Sequence, residues 1–312
     1  MKKIAFLFPG QGSQSVGMGE EFYREYDIVR EIFDMAEEIT RINLSKLCFK
    51  GPMEELTATV NLQPAVTAVN LGCLAVLEKE AGNCQYCAGH SLGEFSALCA
   101  AGVVSPPDTL RLVFRRGELM HREATRHRGV MQAIVGLDMD VVSELVTEAQ
   151  NEGVVSVANH NTKQQIVITG AARPVEKAAA LAVAKGARAI PLKVSGAWHS
   201  ELIKGAQDDF NQFLDTIEFA SPQKTLFFNV TADTSHDPVE TRQIMARQLC
   251  SPVRWYESMN RLMAEEVPVF VEVGPGRVLA GLLKKILPAD YPGKIYNVGN
   301  MKQLEKFIAE NG

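Results

Sequence analysis

Short runs of apolar residues alternate with longer stretches of helical periodicity over most of the chain. Because the strands of a parallel sheet are covered on both faces, they read as continuous apolar runs rather than as alternating patterns. Such runs, separated by helical segments, predict an α/β fold with a parallel sheet. The predicted strands of this part are Lys3–Phe8, Gln85–Ala88, Thr225–Val230, Val267–Val273 and Lys294–Val298.

The stretch from residue 129 to residue 195 follows a different order of elements. The pattern predicts the order β-α-β-β-α-β, which is that of a split βαβ, ferredoxin-like unit. At 312 residues the chain exceeds the usual size of one compact core. We therefore expect a small ferredoxin-like domain at 129–195, inserted into a larger α/β domain made of 1–128 and 196–312. Its predicted elements are Val130–Leu137, Val141–Ala149, Val154–Asn159, Gln165–Thr169, Pro174–Lys185 and Ala187–Val194.

The composition is that of an ordinary globular protein, and the charge narrows the classes of partner. A net charge of −5 leaves no overall positive field to attract phosphates, which argues against a general nucleic-acid binder. No run approaches the ~18 consecutive apolar residues of a membrane span. The N-terminal apolar run ends at Pro9, too early for a signal peptide. We expect a soluble, cytoplasmic protein with no membrane partner.

The six cysteines have no regular disulfide-like spacing, which suits a reducing compartment. Cys84 and Cys87 form a lone C-x-x-C, but a zinc site needs two further ligands and none is near in sequence. We expect buried structural thiols and no metal site. A redox role for the pair is the weaker alternative.

Ser91 stands in the strongest candidate for a catalytic motif. Gly89-His-Ser-Leu-Gly93 is a G-x-S-x-G pattern that lies between a predicted strand and a helical run over Leu92–Ala101. This context is that of a nucleophile elbow, whose sharp turn leaves little room for side chains on either side of the serine. Ser91 is then expected at a helix N-terminus, where backbone N–H groups favour developing negative charge. A chance match of the motif in a turn is the alternative.

A neutral serine is a weak nucleophile and needs a general base. His199 lies just past the last predicted strand of the small domain, and loops at strand ends commonly carry such bases. His160, placed in a small-domain loop, is its rival. His121 and His127 fall on a charged helix, and His236 falls in a polar turn. No acidic residue stands out as a third member, so we predict a Ser–His dyad.

Arg116 lies on a helix that is predicted to begin at Ser105, with the serine as N-cap and prolines in the first turn. Its neighbours at three and four residues are all apolar, so it points into the buried stripe. They are Leu112, Val113, Leu119 and Met120. A buried guanidinium needs an anionic partner. That partner is either a protein carboxylate or the carboxylate of a substrate, which a guanidinium can grip in a bidentate manner.

The first predicted strand is followed by a glycine-rich loop, Pro9-Gly-Gln-Gly-Ser-Gln14. Gly10-x-Gly12 opens a dinucleotide-binding pattern, but Ser15 stands at the sixth position and no clear ribose-binding acid follows about 20 residues on. A loop that presents backbone N–H groups at the top of the sheet serves equally as half of an oxyanion hole. Both interpretations stay open at this point.

Taken together, these motifs resemble the malonyl-CoA:acyl carrier protein transacylases of fatty acid synthesis and the related acyltransferase domains of polyketide synthases. The matching segments are spread over nearly the whole chain in the order of the family, so the resemblance is highly specific. They are Phe8-Pro-Gly-Gln-Gly-Ser-Gln14, Gly89-His-Ser-Leu-Gly-Glu94, Arg115-Arg-Gly117, Ala158-Asn-His-Asn161, Gln165-Ile-Val-Ile-Thr-Gly170, Trp198-His-Ser200, Arg247-Gln-Leu249 and Val271-Glu-Val-Gly-Pro-Gly276.

The resemblance implies a role for each candidate residue. Ser91 would be the nucleophile, His199 its base, and Arg116 the group that binds the malonyl carboxylate. The backbone carbonyl of Gln248 would orient His199, in place of a triad acid. The family fold, a hydrolase-like α/β domain with a ferredoxin-like insertion, agrees with the element order found above.

The reaction implied by the resemblance is ping-pong. Malonyl-CoA acylates the serine, coenzyme A leaves, and the phosphopantetheine thiol of acyl carrier protein takes the acyl group. Backbone amides of Gln11 and Leu92 would form the oxyanion hole. No metal or redox cofactor is implied, malonyl-CoA being a substrate, and we expect a monomer.

Finer specificity rests on two positions. Leu92 resembles the malonyl-selective members rather than the methylmalonyl-selective ones, which often carry glutamine there. Trp198 replaces the phenylalanine that usually precedes the histidine, which predicts an acyl pocket that is narrower or has a shifted wall. For an acidic carrier protein, the candidate docking patch is Arg122, Arg126 and Arg128.

Three alternatives remain at this level. A hydrolase that cleaves acyl thioesters or esters could use the same dyad, and a dinucleotide-binding protein could use the opening loop. A trans-acting polyketide acyltransferase would differ from a fatty acid enzyme in pathway rather than in chemistry.

Overall fold

The computed structural model describes residues 3–311, which contain two β-sheets and the helices that cover them. The strands are β1 (Ile4–Phe8), β2 (Tyr86–Gly89), β3 (Val130–Val135), β4 (Val155–Thr162), β5 (Gln165–Gly170), β6 (Arg188–Pro191), β7 (Thr225–Phe227), β8 (Val269–Val273) and β9 (Lys294–Val298). The ends of the predicted large domain, residues 1, 2 and 312, lie outside the described residues.

The helices precede, separate and follow these strands. They are α1 (Glu20–Glu25), α2 (Asp27–Thr40), α3 (Leu44–Lys50), α4 (Met53–Thr57), α5 (Thr59–Ala81), α6 (Gly93–Ala100), α7 (Pro106–Arg126), α8 (Met139–Ala149), α9 (Ala172–Ala184), α10 (Lys204–Leu214), α11 (Pro238–Arg247), α12 (Trp255–Ala264), α13 (Val278–Ile286) and α14 (Met301–Asn311). Short 3-10 turns lie at Gln150–Glu152, Glu201–Ile203 and Gln248–Cys250.

The larger sheet is parallel, in the order β7-β2-β1-β8-β9. This confirms the predicted α/β class with a parallel sheet. Its central strand β1 is apolar at every position because both faces are covered. Phe6 and Phe8 join the core on one side, whereas Ala5 and Leu7 join a second core beneath α12 and α13 on the other.

The predicted strand Thr225–Val230 ends early, at Phe227. The chain turns back there, since the N–H of Phe228 donates to the carbonyl of Asp233 and that of Ala232 to the carbonyl of Phe228. This turn places Asn229 beyond the end of the strand, where its side chain is free to contact neighbouring loops.

The smaller sheet has the order β4-β5-β3-β6 and is antiparallel. One face carries Ile134, Ile166 and Ile168, which pack with α8 and α9. The other face contributes Met131 and Val167 to the main core. The two sheets therefore meet across one apolar face, and the segments that join them lie at this seam.

The position of His160 corrects one prediction. The sequence placed His160 in a loop, but β4 continues to Thr162 with two register shifts and includes it. The extension is stabilised by backbone hydrogen bonds to Val253, which precedes α12. The N–H of His160 donates to the carbonyl of Val253 at 2.9 Å, and the N–H of Val253 donates to that of Ala158 at 2.8 Å.

Helix α5 is the longest helix of the described chain. By length and composition alone it could cross a membrane, but 83% of its most apolar window is buried inside the protein. It packs between α2 and α7, and α2 turns Val29, Ile32, Phe33 and Ala36 toward it at helical spacing. Helix α5 is thus the centre of the main core.

Candidate active site

The G-x-S-x-G segment forms a tight turn between β2 and α6. Strand β2 ends at Gly89 and α6 begins at Gly93, so Ser91 lies in the turn with a left-handed φ of 51°. A Cβ on Gly89 would lie 2.1 Å from the carbonyl carbon of Gly93, and one on Gly93 would lie 2.0 Å from the carbonyl oxygen of Phe8. Only glycine fits at both positions.

Asn229 holds this turn from outside. Its side-chain oxygen accepts from the N–H of Ser91 at 2.7 Å, and its Nδ2 donates to the carbonyl of Gly89 at 2.6 Å. A left-handed φ is unfavourable for a residue other than glycine and persists only where the surroundings fix it. The asparagine supplies two of the hydrogen bonds that do so.

Ser91 Oγ lies 2.8 Å from Nε2 of His199. The other ring nitrogen, Nδ1, faces the backbone carbonyls of Gln248 at 3.1 Å and Ser251 at 2.9 Å. Because a carbonyl only accepts, Nδ1 carries the proton and Nε2 is left to accept from the serine hydroxyl. No carboxylate takes part in this pair within the described chain.

His199 is buried, and burial lowers its pKa to about 3, with the nearby Arg116 and His90 contributing in the same direction. A desolvated imidazole beside a cation resists taking up a second proton. The resting ring is therefore neutral at neutral pH and is ready to act as a base.

Arg116 points into the interior from α7, as its apolar neighbours predicted, and is 1% exposed. Its guanidinium donates to Gln63 Oε1 at 3.1 Å, to Gln248 Oε1 at 3.1 Å and to Ser91 Oγ at 3.3 Å. Within residues 3–311 it forms no ion pair with a carboxylate. Burial lowers its pKa to about 10, with Glu94 opposing the shift, so the group remains charged at neutral pH.

A small cavity of about 110 Å³ joins these groups. Ser91, Arg116 and His199 line it together with Trp198, while Met131, Leu192 and Val194 close it from the side of the smaller sheet. Gln11 follows β1 and Leu92 precedes α6, and both also line the cavity. Neither of their backbone N–H groups donates to another group in the described chain, so both are free to bind an oxyanion.

The other predicted candidates lie elsewhere. His121, His127 and His236 are exposed. His160 faces Glu257 at 3.2 Å rather than Ser91. Of the histidines in the described chain, His199 alone lies within hydrogen-bond distance of Ser91 Oγ. The guanidinium of Arg116 is the second side chain that reaches this oxygen.

The cysteines of the described residues are free. Cys84 and Cys87 are buried with their sulfur atoms 3.4 Å apart. Cys99 and Cys250 are half-buried. Across residues 3–311, no group of three His, Cys, Asp or Glu side chains is arranged to hold a metal ion.

Sequence reasoning missed Glu94, Asn229 and Gln63, and it gave Gln248 only a backbone role. Glu94 did carry a signal, since it is the one charged residue of the mostly apolar helix α6. Asn229 and Gln63 carried none, because polar residues at these places are ordinary until the fold brings them to Ser91 and Arg116.

Comparison with known proteins shows the general family to which the chain belongs. The acyl transferase domain family matches residues 5–306, which is nearly the whole chain. A serine nucleophile on an elbow, a buried histidine and free backbone N–H groups around one cavity are the parts that acyl transfer requires.

The individual relatives are more specific. The chain is 44% identical to the malonyl CoA-acyl carrier protein transacylase of Bacillus subtilis (strain 168), over 92% of this chain and 91% of that protein. It is 39% identical to that of Haemophilus influenzae, over 99% and 100%. The chain belongs to the family of malonyl CoA-acyl carrier protein transacylases, as its motifs had indicated.

Solved structures agree with this assignment. An acyl carrier protein S-malonyltransferase from Vibrio cholerae is 37% identical, with a TM-score of 0.93 over 98% of this chain and 99% of that one. A malonyl-transacylase in complex with its type II polyketide acyl carrier protein is 36% identical, with a TM-score of 0.94 over the full length of both chains.

Proposed function

We propose that this acyltransferase moves a malonyl group from malonyl-CoA to the phosphopantetheine thiol of acyl carrier protein, through an ester on Ser91. The observation that carries the proposal is the guanidinium of Arg116. It is buried, charged and 3.3 Å from the nucleophile, and its hydrogen-bond acceptors in the described chain are neutral oxygens. A substrate carboxylate would bind the guanidinium directly, in bidentate geometry.

In the first half-reaction, Ser91 Oγ attacks the thioester carbonyl carbon while its proton passes to Nε2 of His199. The oxygen of the tetrahedral intermediate accepts hydrogen bonds from the backbone N–H groups of Gln11 and Leu92. The carbon–sulfur bond then breaks, and the proton on Nε2 goes to the leaving thiolate of coenzyme A. The products are free coenzyme A and malonyl-Ser91.

The second half-reaction runs the same steps in reverse with a different thiol. The phosphopantetheine thiol gives its proton to His199 and attacks the ester carbonyl. Ser91 Oγ leaves and takes the proton back, which restores the resting enzyme. Every step is a nucleophilic attack or a proton transfer, so the reaction as written needs no metal or redox cofactor.

The finer architecture belongs to the same proposal. We propose a hydrolase-like domain of residues 1–128 and 196–312 with a ferredoxin-like insertion at 129–195, because the strand order of the smaller sheet is that of a split βαβ unit. The site is complete within one chain, which supports a monomer. We place the enzyme in the cytoplasm, where the thiols of the carrier protein and of the released coenzyme A are kept reduced.

The docking patch for the carrier is also part of the proposal, and ion pairs within the chain already engage two of its three arginines. Arg122 is paired with Glu123 and with Asp209 at 2.5 Å, and Arg126 shares Glu123. Only Arg128 of the three is exposed without such an ion pair in the described chain.

Intact mass spectrometry tests the proposed function. After mixing with malonyl-CoA, the protein should gain one malonyl group, and peptide mapping should place it on Ser91. Addition of the phosphopantetheine form of acyl carrier protein should remove the adduct and malonylate the carrier. Release of free malonate at a rate that the carrier does not change would instead identify a hydrolase.

A further inference from the structure

Glu94 is a fully buried carboxylate that the reaction steps above do not use. It lies in the first turn of α6, three residues after the nucleophile, and is 0% exposed. Its Oε1 accepts from the backbone N–H of Asn229 at 2.7 Å, and its Oε2 accepts from Nε2 of Gln248 at 2.9 Å. Ionised carboxylates are almost never buried without a charged or metal partner.

The charge of Arg116 acts on Glu94, and the side-chain amide of Gln248 bonds to both residues. Gln248 Oε1 accepts from Arg116 Nε at 3.3 Å and from Nη2 at 3.1 Å, while Nε2 of the same amide donates to Glu94 and to the carbonyl of Ser91 at 2.8 Å. Gln248 is itself 1% exposed. The amide dipole therefore has its positive end on the carboxylate and its negative end on the guanidinium.

The other titratable groups around Glu94 do not compete for this role. Helix α7 contributes Arg116, the elbow contributes His90, and the segment after β6 contributes His199. Burial lowers the pKa of both histidines, which leaves them neutral. The thiols of Cys87 on β2 and Cys99 on α6 are neutral as well, because their pKa values are raised.

In the free enzyme, the buried carboxylate of Glu94 thus lies across the amide of Gln248 from the buried guanidinium of Arg116. A malonyl group brings a second carboxylate to the same guanidinium. Two buried carboxylates cannot both be balanced by one cation, and the usual result is that one of them binds a proton. The substrate carboxylate contacts Arg116 directly, so Glu94, which acts through Gln248, is the weaker competitor for the charge.

We propose that Glu94 is a positioning residue that supplies the counter-charge of Arg116 in the empty site and takes up a proton from solvent when a malonyl group binds. This rests on the proposed malonyl specificity. Burial raises the pKa of Glu94 to about 7, with Arg116 lowering it, so a modest further shift on binding is enough to protonate it. An acetyl group lacks the second carboxylate and should cause no such uptake.

Proton uptake can be measured by titration calorimetry on the non-reactive Ser91→Ala protein. Malonyl-CoA and acetyl-CoA are each titrated at pH 8 in buffers with different ionisation enthalpies. The expected result is the uptake of close to one more proton for malonyl-CoA than for acetyl-CoA. Since both thioesters carry the same phosphates, the comparison cancels their titration. Equal uptake for the two would overturn the proposal.

The coupling between proton uptake and malonyl binding also predicts how the affinity for malonyl-CoA depends on pH. Because binding takes up a proton, the affinity for malonyl-CoA should fall as pH rises above about 7, by up to tenfold per pH unit, whereas that for acetyl-CoA should not. In the Ser91→Ala background, Glu94→Gln should abolish both the extra proton and this pH dependence. Persistence of either in Glu94→Gln would assign the proton to another group and overturn the role of Glu94.

Glu272 offers a matched control. It is also a buried glutamate, bound by the backbone N–H groups of Leu279 and Ala280 and by Asn297, but it lies under α13, away from the cavity. Glu272→Gln should leave the extra proton unchanged. If Glu94→Gln does not fold, difference infrared spectroscopy replaces it, with ¹³C-labelled malonyl-CoA added to the Ser91→Ala protein. An unlabelled carboxylic-acid carbonyl band should then appear, and its absence would contradict the proposal.

Failure of this inference is distinguishable from failure of the proposed function. If the wild-type protein forms malonyl-Ser91 but the two thioesters show equal proton uptake, the malonyl function stands and the role of Glu94 falls. If no malonyl ester forms on Ser91, the function itself fails.

Discussion

Arg116 shows what can be predicted about a single residue and what cannot. Its burial followed from four apolar neighbours on one helix, which is local information. Its partners Gln63 and Gln248 are 53 and 132 residues away in the chain. Only the tertiary structure shows that these two neutral amides, rather than a carboxylate, bind the guanidinium. The choice between a protein carboxylate and a substrate carboxylate therefore could not be made from sequence.

Arg116→Ala should selectively impair malonyl transfer. The loss of a charge-assisted bidentate contact costs about 1.5–3 kcal/mol, or roughly 10–150-fold in kcat/KM for malonyl-CoA, while acetyl transfer is retained or improved. Steady-state kinetics with both thioesters measure this. Arg115→Ala, which removes a half-buried arginine paired with Glu118, is the control. Equal losses for the two acyl groups would make Arg116 a structural residue.

Trp198 is expected to set the width of the acyl cavity. Its six-membered ring packs within 2.8 Å of the place where a side chain on Gly196 would begin, and the indole is 5% exposed. Trp198→Phe removes one ring from the wall of a cavity of about 110 Å³. The ratio of kcat/KM for methylmalonyl-CoA over malonyl-CoA should rise about tenfold, the value of one methyl group in an apolar pocket. An unchanged ratio would show that another residue limits size.

His199 should still act as a base at pH values well below the ordinary pKa of a histidine side chain. The kcat/KM profile reports groups of the free enzyme, in which burial lowers the pKa of His199 to about 3. With malonyl-pantetheine, a substrate without titrating phosphates, kcat/KM should stay constant from pH 6.5 down to pH 5. A fall with an apparent pKa near 6.5 would contradict the buried, neutral imidazole.

At the scale of elements, sequence patterns predicted the features whose geometry depends on neighbouring residues in the chain. The strand–turn–helix around Ser91 and the N-cap of α7 were readable because glycine, serine and proline preferences act within a few residues; Ser105 Oγ accepts from the N–H of Asp108. The end of β7 and the extension of β4 to Thr162 were not readable. The extension of β4 depends on backbone hydrogen bonds to a distant segment, such as that between His160 and Val253. The turn that ends β7 is also bound to a distant residue, since the N–H of Asn229 donates to the side chain of Glu94.

Gly93→Ala tests the elbow as an element. A Cβ there would lie 2.0 Å from a backbone oxygen that cannot move alone, so the free energy of unfolding should fall by about 3 kcal/mol. Gly281→Ala in α13 is the control, since its Cβ meets nothing within 4 Å and should stabilise the helix by about 0.5–1 kcal/mol. Denaturant titrations compare them. Equal stability of Gly93→Ala and the wild type would mean that the turn is not tight.

At the scale of the whole molecule, the cavity exists because two sheets meet at one seam. Ser91, Leu92 and Arg116 come from the elements around the parallel sheet, while Met131, Leu192 and Val194 come from the antiparallel one. The alternation of apolar runs predicted the parallel sheet. How the second sheet closes over the nucleophile depends on packing between segments that are distant in the chain, which hydrophobic periodicity does not encode.

The most direct test of the account is the rate of malonyl transfer to the phosphopantetheine form of acyl carrier protein by Ser91→Ala. Ser143→Ala, which alters a hydroxyl on α8 away from the cavity, provides the reference. The account predicts that Ser91→Ala loses several orders of magnitude in rate while Ser143→Ala transfers at the wild-type rate. Transfer by Ser91→Ala at a rate equal to that of the wild type would contradict it.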